Sequence, residues 1–139
     1  MSYYYEDDEK EVLKTQLLDT KAKTLAESFV VKNPKNPGRL NVRHSLSSAQ
    51  LRRFFSEFRQ LEKKVSSLGF QKVKPLIKMI KSKASYAANP SNPKIPKSFK
   101  AFLIENVDAI NTEKDFEAFM LHFEAVVGFF YGIEGVSNN

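Results

Sequence analysis

The sequence predicts an all-α, single-domain bundle of about five helices. Three observations carry this. Apolar residues recur at helical spacing in five stretches, no stretch alternates cleanly at period two, and the stretches are separated by Pro, Gly and Asn clusters. A chain of 139 residues is long enough for one hydrophobic core.

Residues 1–16 are acidic and tyrosine-rich with little periodicity, and read as a flexible N-terminal tail. The helical domain is expected over 17–132, with a C-terminal tail over 133–139. Leu18, Ala22, Leu25, Ala26 and Phe29 predict a first helix over about 17–31. Asn33-Pro34 and Asn36-Pro37-Gly38 end it, and a basic loop runs to His44. The second helix opens on Ser47-Ser48-Ala49-Gln50, a capping box with Ser47 at the N-cap. Its apolar stripe is Leu51, Phe54, Phe55, Phe58, Leu61, Val65 and Leu68, and Gly69 is its C-cap. The third helix is expected over about 72–88, with Pro75 in its first turn and Val73, Leu76, Ile77, Ile80, Ala84 and Ala87 inward. Asn89-Pro90 stops it, and Pro93 and Pro96 stiffen the next loop. The fourth helix spans about 97–110 with Phe99, Phe102, Leu103 and Val107 inward. The fifth starts at Thr112, capped with Asp115, and carries Phe116, Phe119, Met120, Phe123, Val126, Val127 and Phe130 until Gly132.

The net charge of +6 is unevenly distributed. Residues 1–31 carry −3, residues 32–104 carry +15 and residues 105–139 carry −6. From Lys63 to Ile104 there are 10 Lys and no Asp or Glu. Like charges along a helix repel, so a stretch of one sign this long calls for a polyanion, and nucleic-acid phosphate fits best. The alternative is pairing with the acidic C-terminal third of the chain. A membrane surface fits less well, because no exposed apolar wedge accompanies the basic residues.

Catalytic signals are thin, and the chain is expected not to be an enzyme. There is no Cys, so disulfides and thiolate metal sites are excluded. The two histidines, His44 and His122, fall in no metal-ligand spacing, and His122 reads as a residue at the core's edge. No glycine-rich phosphate loop or nucleophile elbow is present. Neither a metal nor a cofactor is expected. The acidic N-terminus is unlike a signal peptide, no apolar run reaches the length of a membrane span, and a cytoplasmic location is expected.

The candidate nucleic-acid contacts lie on helical rows. Arg52, Arg59 and Lys63 share one stripe of the second helix, with Ser56 in the gap, and Arg53, Gln60 and Lys64 form the adjacent one. Lys74, Lys78, Lys81 and Ser85 form a stripe on the third helix. Such rows place charges roughly 5–6 Å apart, close to the spacing of backbone phosphates. Arg43 in the basic loop joins the set. Nearly all of the 12 Phe fall on core stripes, so no aromatic platform for base stacking is expected. No recognition-helix cluster is present either. Backbone contact without sequence readout follows.

Three stretches together resemble one family. They are Leu46-Ser47-Ser48-Ala49-Gln50-Leu51-Arg52-Arg53-Phe54-Phe55, then Val73-Lys74-Pro75-Leu76 leading to Ala84-Ser85-Tyr86-Ala87, then Phe116-Glu117-Ala118-Phe119 through Phe123-Glu124-Ala125-Val126-Val127. They are similar to the small subunit of the type III-A CRISPR interference complex, the Csm complex, over roughly residues 20–132. Asn89-Pro90 stands where the family often has Gly-Arg, and the fifth helix ends in the apolar Gly128-Phe129-Phe130-Tyr131. The resemblance implies a non-catalytic helical bundle, present in several copies beside other Csm subunits. It would line the channel holding target RNA paired with the CRISPR RNA, in antiviral defence. It carries RNA contact onto Arg52, Arg53 and Lys74; Arg59, Lys63, Lys78 and Lys81 rest on the stripes alone. The readings left beside it are a basic helical RNA- or DNA-binding accessory protein outside CRISPR, and a purely structural oligomer.

Overall fold

The computed structural model describes residues 2–137. A 3-10 turn, Thr15–Leu18, leads into α1 (Thr20–Ser28), followed by the short strands β1 (Lys32–Asn33) and β2 (Asn36–Leu40). Four longer helices complete the chain: α2 (Ser48–Leu68), α3 (Phe70–Ala87), α4 (Lys97–Ala109) and α5 (Glu113–Tyr131). The helical class is as predicted, with a two-stranded antiparallel sheet added.

Helix boundaries follow local chemistry. The Ser47 hydroxyl accepts from the Gln50 N–H at 3.2 Å and opens α2. Thr112 and Asp115 cap α5 reciprocally. Gly69 separates α2 from α3 at φ 87° and ψ 153°, a conformation essentially restricted to glycine. Pro75 falls in the second turn of α3 rather than its first, because the helix starts at Phe70. Its missing N–H costs the Gln71 carbonyl an intrahelical partner, at a position where both residues are exposed.

α1 is shorter than the periodicity suggests. Asp19, at φ −132° and ψ −105°, divides it from the preceding 3-10 turn. The tighter turn changes the phase, so Leu17 is buried and Leu18 exposed, the reverse of the expectation for Leu18. The segment expected as an irregular basic loop forms the hairpin, with Lys32 opposite Leu40 and Asn33 opposite Asn36. Side-chain oxygens of Asn33 and Asn36 accept backbone N–H groups two residues on, which shapes the connection between the strands.

The core is a layer of phenylalanines. Phe54 and Phe58 of α2 meet Phe99 and Phe102 of α4 and Phe119 and Phe123 of α5, mostly edge-to-face. Phe58 and Phe119 ring centroids are 4.8 Å apart, and Phe102 and Phe123 are 5.3 Å apart. Phe29, just after α1, closes the layer at 5.1 Å from Phe99. α5 is buried on most of its circumference, and His122 is fully buried within it rather than at the core's edge. Burial lowers the His122 pKa, and its Nδ1 contacts the Leu17 carbonyl.

The N-terminal residues are packed, not a free tail. Tyr4 and Tyr5 are buried. The Tyr4 hydroxyl lies 3.0 Å from Asn106 Oδ1, and the Tyr5 hydroxyl donates to the Lys114 carbonyl at 2.6 Å. Lys14 N–H donates to the Tyr4 carbonyl, closing a small antiparallel loop in which Tyr5 pairs with Leu13. Lys10 fastens the loop, its Nζ 2.9 Å from Asp115 Oδ1. Acidic, aperiodic sequence gave no sign of this, because each tyrosine finds its partner more than a hundred residues away. At the other end, Ile133 and Val136 pack on the core and the Ser48 hydroxyl donates to the Ser137 carbonyl. The last two residues of the expected C-terminal tail lie outside the described residues.

Two predictions concern stability. Gly69→Ala forces alanine into a disfavoured conformation and should cost about 1–3 kcal/mol. Gly128→Ala, inside α5 with open space around the new methyl, should stabilise by about 0.5–1 kcal/mol. Urea denaturation of both variants checks the pair, and equal effects would contradict it. The second prediction concerns Asp115. Burial alone would raise its pKa, but the Lys10 ammonium, the Asn111 N–H and Thr112 hold it below the ordinary 3.8. Its stabilisation is therefore full above that value and is lost as pH falls through the lower folded value. Asp115→Asn should cost about 1–3 kcal/mol at neutral pH and show a shallower loss of stability below about pH 4 than the unsubstituted chain. Parallel acid limbs in thermal melts would contradict this.

Candidate nucleic-acid interface

The inward stripe of α2 determines where its cations point. With Leu51, Phe54 and Phe58 buried, Arg52 and Arg53 are exposed. Neither has an ion-pair partner among the described residues. Arg53 lines a groove of about 470 Å³ between α2 and the last turns of α3. Gln50, Phe54 and Glu57 belong to its α2 wall, and Ser82, Lys83, Tyr86 and Ala87 to its α3 wall. Lys94, from the following loop, lines the groove too. Lys83 and Glu57 form an ion pair across it.

Lys94 also lines a second recess, of about 630 Å³, shared with Arg43, His44, Ser47, Pro93 and Lys97. This recess lies where the N-cap of α2, Ser47, approaches the first residue of α4, Lys97. Neither helix carries an acidic residue in its first turn. The positive ends of two helix dipoles are therefore left uncompensated beside basic side chains. Two adjoining depressions thus make one electropositive surface, with Arg43, Lys97, Lys94, Lys83 and Arg53 along it.

The remaining predicted contacts are elsewhere. Arg59 is half-buried against α5, with its guanidinium 4.8 Å from the Phe55 ring centre. Its Nη1 lies 2.9 Å from Glu62, and its Nη2 lies 3.5 Å from Glu124. Lys63 is exposed near the far end of α2. The stripe on α3 faces α4. Lys78 Nζ donates to the Val107 carbonyl at 2.7 Å and lies 3.4 Å from Asn111 Oδ1. Burial, then the neighbouring Lys74 and Lys81, lower the Lys78 pKa. Lys81 pairs with Asp108 at 2.6 Å, and Lys74 is half-buried at the start of the row. The eight predicted residues therefore do not form one face. Arg43, Arg52 and Arg53 lie towards the end where α2 begins, and Lys74, Lys78 and Lys81 line the α3–α4 side.

Lys83, Lys94, Lys97 and Tyr86 were missed by helical rows. Lys94 and Lys97 sit in and just after a proline-rich loop that has no periodicity. Tyr86 did carry a signal: it falls off the Val73, Ile77, Ile80, Ala84, Ala87 stripe, and it is 76% exposed.

A helical bundle with a basic surface where α2 begins and its phenylalanines inside defines a small, basic, all-α protein. The chain belongs to the Csm2 Type III-A family, whose model matches residues 13–132, and is thus a small subunit of a type III-A CRISPR complex. The match covers the whole set of helices and stops short of the first residues of the N-terminal loop. No curated protein and no solved structure gives a match. Among the described residues no helix is long and apolar enough to cross a membrane.

The split among the cations is measurable. Lys78→Ala removes a hydrogen bond to the C-terminal end of α4 and should lower stability by about 1 kcal/mol. Arg52→Ala, free of partners, should stay within about 0.5 kcal/mol of the unsubstituted chain. Chemical denaturation of the two variants tests this, and an Arg52→Ala loss as large as that of Lys78→Ala would contradict it.

Proposed function

We propose that this chain is a non-catalytic RNA-binding subunit, cytoplasmic and present in several copies, that lines the channel for target RNA paired with the CRISPR RNA. Its part in antiviral defence is to hold the strand while other subunits carry out chemistry. The observation that carries this reading is the basic surface running from Arg43 and Lys97 past Lys94 to Arg53, with Lys83 held by Glu57 at its edge. Other cations have carboxylate partners: Lys10, Arg59 and Lys81 are paired, and on the surface itself Lys83 is held by Glu57. Arg52, Arg53 and Arg43 have none among the described residues, so they remain available to phosphates. Phosphate contact at these residues releases counterions and supplies affinity without reading sequence. Arg59, Lys78 and Lys81, held by α4 and α5, serve the bundle first.

Charge reversal tests the proposal. A complex assembled with the Arg52→Glu/Arg53→Glu chain should bind target RNA at least about tenfold more weakly, with a shallower dependence on salt. Each lost phosphate contact removes about 0.7–0.9 from the slope of log affinity against log salt. Helicity and assembly should be unchanged, because neither side chain contacts the core. Loss of assembly with unaltered RNA binding in the complexes that do form would overturn the reading.

A further inference from the structure

The groove between α2 and α3 has features that phosphate binding does not use. Tyr86, in the last turn of α3, is exposed, and its hydroxyl has no partner among the described residues. An aromatic ring on a basic surface offers a face on which a base can stack. Gln50 lines the same groove, and its Oε1 is buried with no hydrogen-bond partner. A buried acceptor left unmade is costly, and a donor arriving with a ligand would relieve it. Arg53, Lys83 and Lys94 border the groove, with Glu57 holding Lys83. The volume of about 470 Å³ lies in the range of sites that enclose small organic groups.

We propose that this groove takes one unpaired nucleobase of a bound RNA strand, stacked on Tyr86, with an N–H of the base donated to Gln50 and the flanking phosphates held by Arg53 and Lys94. The inference rests on the proposed RNA binding and adds a base contact to it. Every nucleobase has a π-face and at least one N–H donor: the exocyclic amine of adenine, cytosine or guanine, or the ring N–H of guanine and uracil. The site therefore registers the presence of a base rather than its identity. Glu57 presents a second acceptor in the groove, where it pairs with Lys83.

The full chain is titrated with a single-stranded RNA of about ten nucleotides and with the same backbone carrying abasic sites throughout. The unsubstituted chain should prefer the strand with bases by about tenfold. Tyr86→Ala should abolish that preference while leaving abasic-strand affinity unchanged. Tyr86→Phe should retain it, since stacking needs only the ring, and Gln50→Leu should reduce it. Circular dichroism checks that the variants fold. A Tyr86→Ala chain that keeps the full preference overturns the base pocket, as does one that binds both strands normally but no longer enters the complex, which would make Tyr86 a protein contact. If the unsubstituted chain binds neither strand, the RNA-binding reading itself fails. If it binds both and Arg52→Glu/Arg53→Glu alone abolishes binding, the backbone reading stands independently of the pocket.

Discussion

Packing of the phenylalanine layer is the constraint on which the rest depends. Six rings from α2, α4 and α5 meet, mostly edge-to-face, and each helix can satisfy that meeting in only one rotation about its axis. Turning Phe54 and Phe58 inward leaves Arg52 and Arg53 in solvent. The same rotation carries Arg59 over Phe55 and towards Glu124. The fate of the cations on α2 is thus decided by apolar burial, whose total far exceeds the modest energy of exposed ion pairs.

Charge segregation along the chain is only partly charge segregation in space. The acidic residues after Ile104 are folded back onto the basic middle: Asp108 takes Lys81, and Glu124 takes Arg59. The alternative in which the basic middle meets the acidic third is therefore realised within a single chain along the α3–α4 and α2–α5 sides. Among the cations left over are those where α2 begins and α3 ends. The first turns of α2 and α4 add their dipoles there, with no carboxylate to offset them. The remaining positive charge creates a field that favours a polyanionic partner.

The N-terminal loop illustrates a different economy. Tyr3, Tyr4 and Tyr5 each send a hydroxyl to α4 or to the start of α5, and Lys10 reaches the Asp115 that caps α5. One carboxylate thus closes the helix end and anchors the loop. Its low pKa is the consequence of serving both. Burial of the tyrosine rings supplies the driving force, while the hydroxyl bonds select where they dock.

Helix identity and facing were legible from the chain because they are local. Ser47, Thr112 and Asp115 cap as their spacing indicates, and the stripes of α3, α4 and α5 are buried almost residue for residue, while that of α2 is buried at Leu51, Phe54, Phe58 and Leu61 but leaves Leu68 exposed beside Gly69. The family resemblance is likewise a property of linear motifs. Misses arose where a local rule was ambiguous: the 3-10 turn that shifts Leu17 inward, the start of α3 that puts Pro75 in its second turn, and the hairpin too short to alternate. Other features were never in the linear pattern at all. Lys78 and Lys81 look identical to free cations until α4 is laid beside them, and Tyr3–Tyr5 look like a tail until α4 and α5 are present. Periodicity reports which side of a helix is apolar, because that depends on neighbours three and four residues away. It cannot report what stands opposite the polar side, because Coulomb and hydrogen-bond energies depend on distance through space. Only the packed bundle could separate the cations bound to the protein itself from those left for another molecule.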